Sequence, residues 1–420
     1  MSSEDNAQPT TQDAQTSTIP PLSTTPRRSS YDVVIVGGAV MGSSVAWFLS
    51  ANDDFDGSVL VVERDPSYEF TSTARTNSCM RQQYSNELNI RISQFSADYV
   101  RNFRRWMGDD PEVPDLAVHH FGYMYLAGDE RFAATLRASR ELQSSLGAGT
   151  VIMSPDEIAA EYPFYNVTDI VCGSHNTVDE GWFDSATMFD WWRRKARLAG
   201  VEYLTGEVVA IDRSDGAITD VTLASGETVT CGVLVNASGP RAAATARMAG
   251  LELPVEPRKR YTIVFDAAEP LPRALPLTID PTGVHVRSDG DVYVAGSTPE
   301  IDPAVGFDDF RMDSGIWEEQ IWPVLAHRVP AFERAKVLSQ WAGHYAHNTL
   351  DHNAVVGPHT EIANFIFING FSGHGMQQSP AMGRAVSELI TYGEYRTLDL
   401  APLGYDRIAR GEPFPETAII

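Results

Sequence analysis

The 420 residues carry a formal net charge of −24, with 43% hydrophobic and 21% charged side chains, enough apolar material for more than one packed core. That acidity excludes nucleic acid and anionic membranes as partners and repels small anions at long range, so a carboxylate ligand needs a local cation. No apolar run reaches the roughly 18 residues of a membrane-spanning helix, and three scattered cysteines, Cys79, Cys172 and Cys231, make neither a disulfide framework nor a metal site.

Residues 1–30 are rich in Ser, Thr, Pro and Gln and read as a disordered tail. Arg27-Arg28 precede a strand rather than a cleavable signal, so the chain is expected in the cytoplasm. Order begins at Tyr31 with the β-branched run YDVVIV, a buried parallel strand, followed by a helix over 42–51 and a second strand over 58–63. Helices are expected over 93–107 and 130–146, with a kinked strand over 116–127 between them. Asp184 caps a helix from Ser185 to Ala199, closed by Gly200. Strands follow over 201–212, 217–224 and 227–236, joined by Asp-Gly and Ser-Gly turns. Further strands are expected over 261–265, 284–286 and 292–295, with a helical stretch near 315–326. A last strand, Phe365–Asn369, enters a glycine-rich loop and a helix over 380–391. There is no internal repeat. The fold class is α/β, a Rossmann-type nucleotide domain interleaved with an antiparallel-sheet α+β domain. Residues 31–113, 172–250 and 345–420 are assigned to the first and 114–171 with 251–344 to the second.

The turn Gly37-Gly-Ala-Val-Met-Gly42 sits between the first strand and helix. A helix N-terminus placed under a pyrophosphate needs a turn without bulky Cβ atoms, and its free N–H groups favour an anion. Ala39 stands where the middle glycine of GxGxxG usually lies. Glu63, at the end of the second strand, suits the hydroxyls of an adenosine ribose and opposes a 2′-phosphate despite neighbouring Arg64. These features do not separate FAD from NAD. A second glycine loop, GFSGHGMQQSP, precedes a helix for which Ser379 and Pro380 fit N-cap and N1. The positive end of that helix would stabilise negative charge on a reduced flavin.

Six segments resemble the D-amino-acid oxidase / sarcosine oxidase superfamily of flavoproteins: VVIVGGAVMGSS with VVER, TSTARTNSCMRQQY, GWFD, VLVNASGP, WAGHYAHNTLDHNAVVG and GFSGHGMQQSPAMG. The ending LDLAPLGYDRIARGEP is similar to glycine/sarcosine oxidase-like proteins and to a mitochondrial FAD-dependent assembly factor of respiratory complex I. The resemblance implies FAD between a Rossmann domain and a substrate domain. Gly37, Ala39, Val40, Met41, Gly42, Glu63 and Arg64 would serve the ADP half, Ser72 and Thr73 the pyrophosphate or flavin. Val208 would pack by the adenine, Ala237 and Gly239 would close the site, and Gly373, His374, Gly375, Met376 and Gln377 would line the flavin. Arg81 matches an arginine that pairs with a substrate carboxylate, with Tyr84 beside it; guanidinium forks suit carboxylates.

Two departures stand out. The cysteine tethered to flavin in monomeric sarcosine oxidases is missing near Gly343-His344-Tyr345, which implies non-covalent FAD. A lysine that gives a second carboxylate anchor is replaced by Gln377. His285, in Gly283-Val-His-Val-Arg287, falls near a lysine associated with oxygen activation; protonated, it or Arg287 would stabilise superoxide, and otherwise it only packs. His344 and Tyr345 would shape the pocket. The implied activity is oxidation of the C–N bond of a small amine or amino acid, expected to be a secondary or N-methyl compound. Hydride would pass to flavin N5, the imine would hydrolyse, and O2 or an electron-transfer protein would reoxidise the cofactor. The rival is a flavin-binding assembly or scaffold factor with little turnover.

Overall fold

The computed structural model describes residues 19–416, and residues 1–18 of the expected tail lie outside them. Residues 19–29 correct that expectation, because they run along the edge of a sheet. Ser23 bridges Leu204, donating its N–H to the Tyr203 carbonyl at 3.3 Å and accepting from Thr205 at 2.8 Å. The strand Glu202–Thr205 is an edge whose unpaired backbone groups this stretch satisfies.

The first sheet contains β1 (Ser30–Val36) and β2 (Val59–Glu63), parallel and joined by α1 (Val40–Ser50). Val33 and Ile35 enter one core while Val34 and Val36 enter another. Burial on both faces is why β1 is an unbroken apolar run. Glu202–Thr205 extends the parallel order beyond β2, Thr228–Asn236 beyond β1, and Phe365–Asn369 beyond that. The strand expected over 201–212 is two, Glu202–Thr205 and Val208–Ser214, on opposite sides of the sheet order. The helix expected over 93–107 begins earlier, as α2 (Glu87–Arg101). The Asn86 side chain accepts the Asn89 N–H at 2.8 Å and caps it.

The second sheet is eight-stranded and mostly antiparallel. At its edge Ala335–Asn348 pairs with Val255–Ala267 over almost its whole length. The kinked strand becomes Val118–His119 and Tyr123–Ala127, which belong to different sheets. Between them Gly122 has φ +82°, and a Cβ there would meet the Asn176 carbonyl at 2.4 Å. Cys172–Asn176 pairs antiparallel with Tyr123–Ala127, so this strand belongs to the second sheet although the expected boundary at 172 assigns it to the nucleotide domain.

The helix of the second glycine loop spans Gly375–Tyr392, so Ser379 and Pro380 are neither N-cap nor N1. Pro380 removes an N–H that would reach the Met376 carbonyl; the Ser379 hydroxyl donates to that carbonyl at 2.8 Å instead. This helix crosses α1 closely, since a Cβ on Gly383 would lie 2.0 Å from Ser44 Oγ. Ser44 in turn donates to the Ser379 carbonyl at 2.7 Å. Among the described residues no helix is long and apolar enough to cross a membrane.

Candidate functional site

A cavity of about 340 Å³ runs between the two sheets, from Glu63 and Val208 at one end to Arg81, Leu277 and His285 at the other. At the first end the turn after β1 is squeezed between strand ends. Gly37 has φ +100°, and a Cβ there would meet the Ala237 carbonyl at 2.5 Å. A Cβ on Gly42 would lie 1.9 Å from the Gly37 carbonyl, so Gly42 sets the approach of α1 and only Gly fits either position. Ala39 is tolerated because its φ of −70° is ordinary. It has no side-chain cap to offer α1; Thr73 Oγ1 instead accepts the Val40 N–H at 3.1 Å. Glu63 accepts from Gly38 N–H at 2.8 Å and Asp65 N–H at 2.9 Å. Burial raises its carboxyl above the ordinary value, and these two donors pull the other way. Arg64, Val208, Ala237 and Gly239 also line this end, and Gly42 lies behind it.

The start of the helix Gly375–Tyr392 forms the middle of the wall, with Gly373, His374, Gly375, Met376 and Gln377 all on the cavity. Gly373 has φ +99° and lies against the Tyr345 ring, 2.5 Å from where its Cβ would be. Gly375 faces Met41 of α1 in the same way at 3.3 Å. Two helix N-termini therefore converge on one space, each presenting partial positive charge. Ser72 Oγ donates to the His344 carbonyl at 2.5 Å, tying the segment that carries Thr73 to the second sheet.

Arg81 and Tyr84 come together as the sequence suggests, with Tyr84 buried behind the cavity. The Arg81 guanidinium lies 3.9 Å from the Tyr84 ring centre. It donates to the Gln83 carbonyl and, at 2.9 Å, to His374 Nε2. Burial, with the Arg81 charge beside it, holds the His374 imidazole well below its ordinary pKa. His374 is therefore neutral, with Nε2 as the acceptor. Gln377 accepts the Arg81 N–H at 2.8 Å and donates to the Tyr84 hydroxyl, so it ties this pair together. Beneath them Glu180 accepts from Gln82 N–H, Gln83 and Asn176 at 2.7, 2.9 and 2.9 Å. Burial pushes its carboxyl up to about 7 against those donors.

His285, His344 and Tyr345 all line the cavity. Burial pushes His285 down to about 4, which favours the neutral imidazole over the protonated form considered for superoxide. Arg287 is buried outside the lining, on Asp289 at 2.8 Å. The His344 ring stacks on Phe310 at 4.2 Å and its Nε2–H donates to the Asp309 carbonyl at 2.9 Å. Sequence reasoning missed Arg260, whose guanidinium lies 4.8 Å from the Tyr345 ring centre, and also Arg75 and Arg241. The run Pro257-Arg-Lys-Arg260 in so acidic a chain was the available signal. Five arginines (64, 75, 81, 241 and 260) and three carboxylates (Glu63, Asp65 and Glu207) line the cavity, which reverses locally the sign of the whole chain. A segment over 298–314, without helix, lies along this wall: Ala304 bridges Arg258, the Val305 N–H donates to the Pro257 carbonyl at 3.0 Å, and Thr298, Phe307 and Phe310 line the cavity.

Glycines whose Cβ atoms would strike backbone, two helix starts and a ribose-height carboxylate on one long cavity fit an anionic dinucleotide. The family model for FAD dependent oxidoreductases (DAO) matches residues 32–389. FAD-dependent oxidoreductase domain-containing protein 1 of Xenopus laevis is 37% identical over 93% of this chain and 85% of its own. Sarcosine oxidase subunit beta of Arthrobacter sp is 24% identical over 93% and 94%. The crystal structure of L-proline dehydrogenase from P. horikoshii superposes with a TM-score of 0.80 at 24% identity, over 92% of this chain and 99% of that one. With the glycine turn, the carboxylate and the interleaved sheets all in place, the chain belongs to the DAO family of FAD-dependent oxidoreductases.

Proposed function

We propose that this flavoprotein oxidises the carbon–nitrogen bond of a small amine or amino acid. One observation carries the reading: the cavity joins a nucleotide-shaped end to an end walled by Arg81, Arg260, Tyr345 and His285. Gly37 to Gly42, Glu63, Thr73, Ala237 and Gly239 would hold the ADP half of FAD, and Gly373 to Gln377 the flavin half. Bound FAD supplies the two-electron acceptor. The cofactor is non-covalent in this reading: burial pushes the Cys79 thiol, on the cavity wall, up to about 11, and His344 is spent on Phe310 and Asp309.

The chain's own residues bind and orient. Arg81 gives the floor its positive potential, and Tyr84 and Gln377 hold it in place. Tyr345 supplies a flat wall beside Gly373. His285 and His374 are neutral, so neither donates a proton at neutral pH, and an amine that arrives neutral needs no obligate base. Sarcosine oxidase subunit beta and L-proline dehydrogenase carry amine donors in their names, which supports the class.

Anaerobic mixing of the yellow holoprotein with N-methyl and cyclic amino acids should bleach the flavin bands with at least one compound. Air should then restore colour in an oxidase, whereas a dehydrogenase needs an added electron acceptor. A spectrum that no amine bleaches refutes the reading and leaves a flavin-binding scaffold.

A further inference from the structure

We propose that Arg260 takes the substrate's carboxylate directly, and that Asp302 is the chain's own carboxylate which the substrate displaces. The inference rests on the C–N oxidation reading and narrows it to amines that carry an acid group. Asp302 lies on the 298–314 segment along the cavity wall. Both of its oxygens accept from the Arg260 terminal nitrogens, at 2.8 and 3.0 Å. That two-point fork is the geometry an external carboxylate would adopt.

Three features make the pair exchangeable rather than a fixed brace. Arg260 is on the cavity wall beside Tyr345, so its guanidinium is within the space a ligand enters. Its Nε is buried with no hydrogen-bond partner among the described residues, which leaves the group under-satisfied even with Asp302 in place. The backbone of the segment carrying Asp302 is anchored independently of the pair, by the Val305 N–H on the Pro257 carbonyl at 3.0 Å, Lys259 on Asp309 at 2.8 Å and the stack of Phe310 on His344, so the Asp302 carboxylate can leave Arg260 while the segment stays in place. Asp308, 82% exposed, meets Arg241 at 3.0 Å and Arg64 at 3.9 Å, and ion pairs that open to solvent contribute little.

Arg81 is differently placed. It is 2% exposed, and its guanidinium already serves Gln83 and His374. It charges the floor, whereas Arg260 offers a carboxylate partner that can change. An anion entering against a net charge of −24 then replaces one carboxylate with another. The local charge balance is preserved and no new buried charge is left unpaired.

The test uses holoprotein and reads perturbation of the flavin absorption bands during titration with propanoate and with propanamide, without turnover. Asp302→Asn removes the internal competitor and should tighten propanoate about tenfold. Arg260→Met should weaken it about a hundredfold, the cost of losing one partner of a close charge pair. Propanamide should be unaffected in both. Propanoate that does not perturb the wild-type bands, binds Asp302→Asn no more tightly, or loses affinity in Arg260→Met to the same extent as propanamide overturns the proposal. Should Arg260→Met not fold, the sign of the Asp302→Asn change decides. Tightening in Asp302→Asn without bleaching by any amine keeps the anchor and removes the oxidation reading; bleaching without tightening does the reverse.

Discussion

Replacing Glu63 with Gln separates nucleotide binding from folding, because FAD affinity should fall by more than apoprotein stability. The carboxylate accepts the Gly38 N–H at 2.8 Å and the Asp65 N–H at 2.9 Å through different oxygens. A glutamine has one oxygen and one NH2, so whichever way the amide turns, one of those backbone donors faces another donor. A lost charge-assisted hydrogen bond costs about 1.5–3 kcal/mol. FAD needs the glycine turn in its ordered form and would gain a weaker ribose acceptor, so the loss should appear in binding as roughly 10- to 150-fold weaker affinity. Folding of the apoprotein loses the same backbone hydrogen bond, but part of that loss is offset. Burial raises the Glu63 carboxyl above its ordinary value, so the charge is held at a cost that the neutral amide removes. Fluorescence titration of apoprotein with FAD measures the first effect, and the urea midpoint of the same apoprotein the second. Unchanged FAD affinity would place Glu63 away from the nucleotide. Weaker affinity accompanied by an equal loss of apoprotein stability would make it a structural residue only.

Two further outcomes follow from the buried charges. Arg407 donates to Asp351 at 2.7 Å, and to the backbone carbonyls of Leu403 and Ala354 at 2.6 and 2.8 Å; Arg407→Met should cost about 3–5 kcal/mol in urea denaturation of the holoprotein by stranding Asp351, and a loss below about 1 kcal/mol would show the pair to be replaceable by packing. Stability should also fall on acidification from about pH 6.5 towards 4. His285 and His347 are pushed down to about 4, so the unfolded chain binds protons there that the folded chain refuses. Glu180, pushed up to about 7, acts in the opposite sense as pH falls from about 7 to 4.5, so Glu180→Gln should steepen the slope. A flat or rising urea midpoint over that range in the Glu180→Gln variant would refute the assignment.

The nucleotide end was legible because its chemistry is local. A β-branched run, three glycines and a carboxylate after the next strand all lie within Tyr31 to Glu63, and backbone contacts at Gly37 and Gly42 leave no alternative residue. The substrate end was legible only in part. Ala335–Asn348 is the longest strand described, yet AKVLSQWAGHYAHN has no regular alternation, because its burial changes from mostly solvent-facing to cavity wall along its length. Without that strand, neither the pairing of Arg260 with Gly343 nor the stacking of Arg260 on Tyr345 could be placed. The start of the last long helix was misread for a different reason. Ser379-Pro380 carries a strong N-terminal signature, but a serine hydroxyl that serves the Met376 carbonyl makes the same dipeptide acceptable inside a helix. Ser23 was placed in a featureless tail because its pairing energy comes from the exposed edge of Glu202–Thr205, which no local composition reveals.

These differences follow one physical division. At the nucleotide end specificity is steric: atoms of the main chain occupy the places where side chains would go, so a substitution at Gly37 or Gly42 meets backbone that cannot yield. At the proposed substrate end the groups available are charged, and they come from distant places: Arg81 on one sheet's flank, Arg260 on a long strand and Asp302 on an irregular crossing segment. Ion pairs formed by distant parts of the chain can be exchanged singly without disturbing the cofactor. In the proposed reading a carboxylate substrate enters against a net charge of −24 by replacing Asp302 on Arg260. Asp302 and Asp308 lie on one crossing segment, whose backbone is held separately by the Val305 N–H on the Pro257 carbonyl and by His344 on the Asp309 carbonyl. If Arg260 takes a substrate carboxylate as proposed, the same segment that neutralises it is the part of the structure that meets the incoming acid.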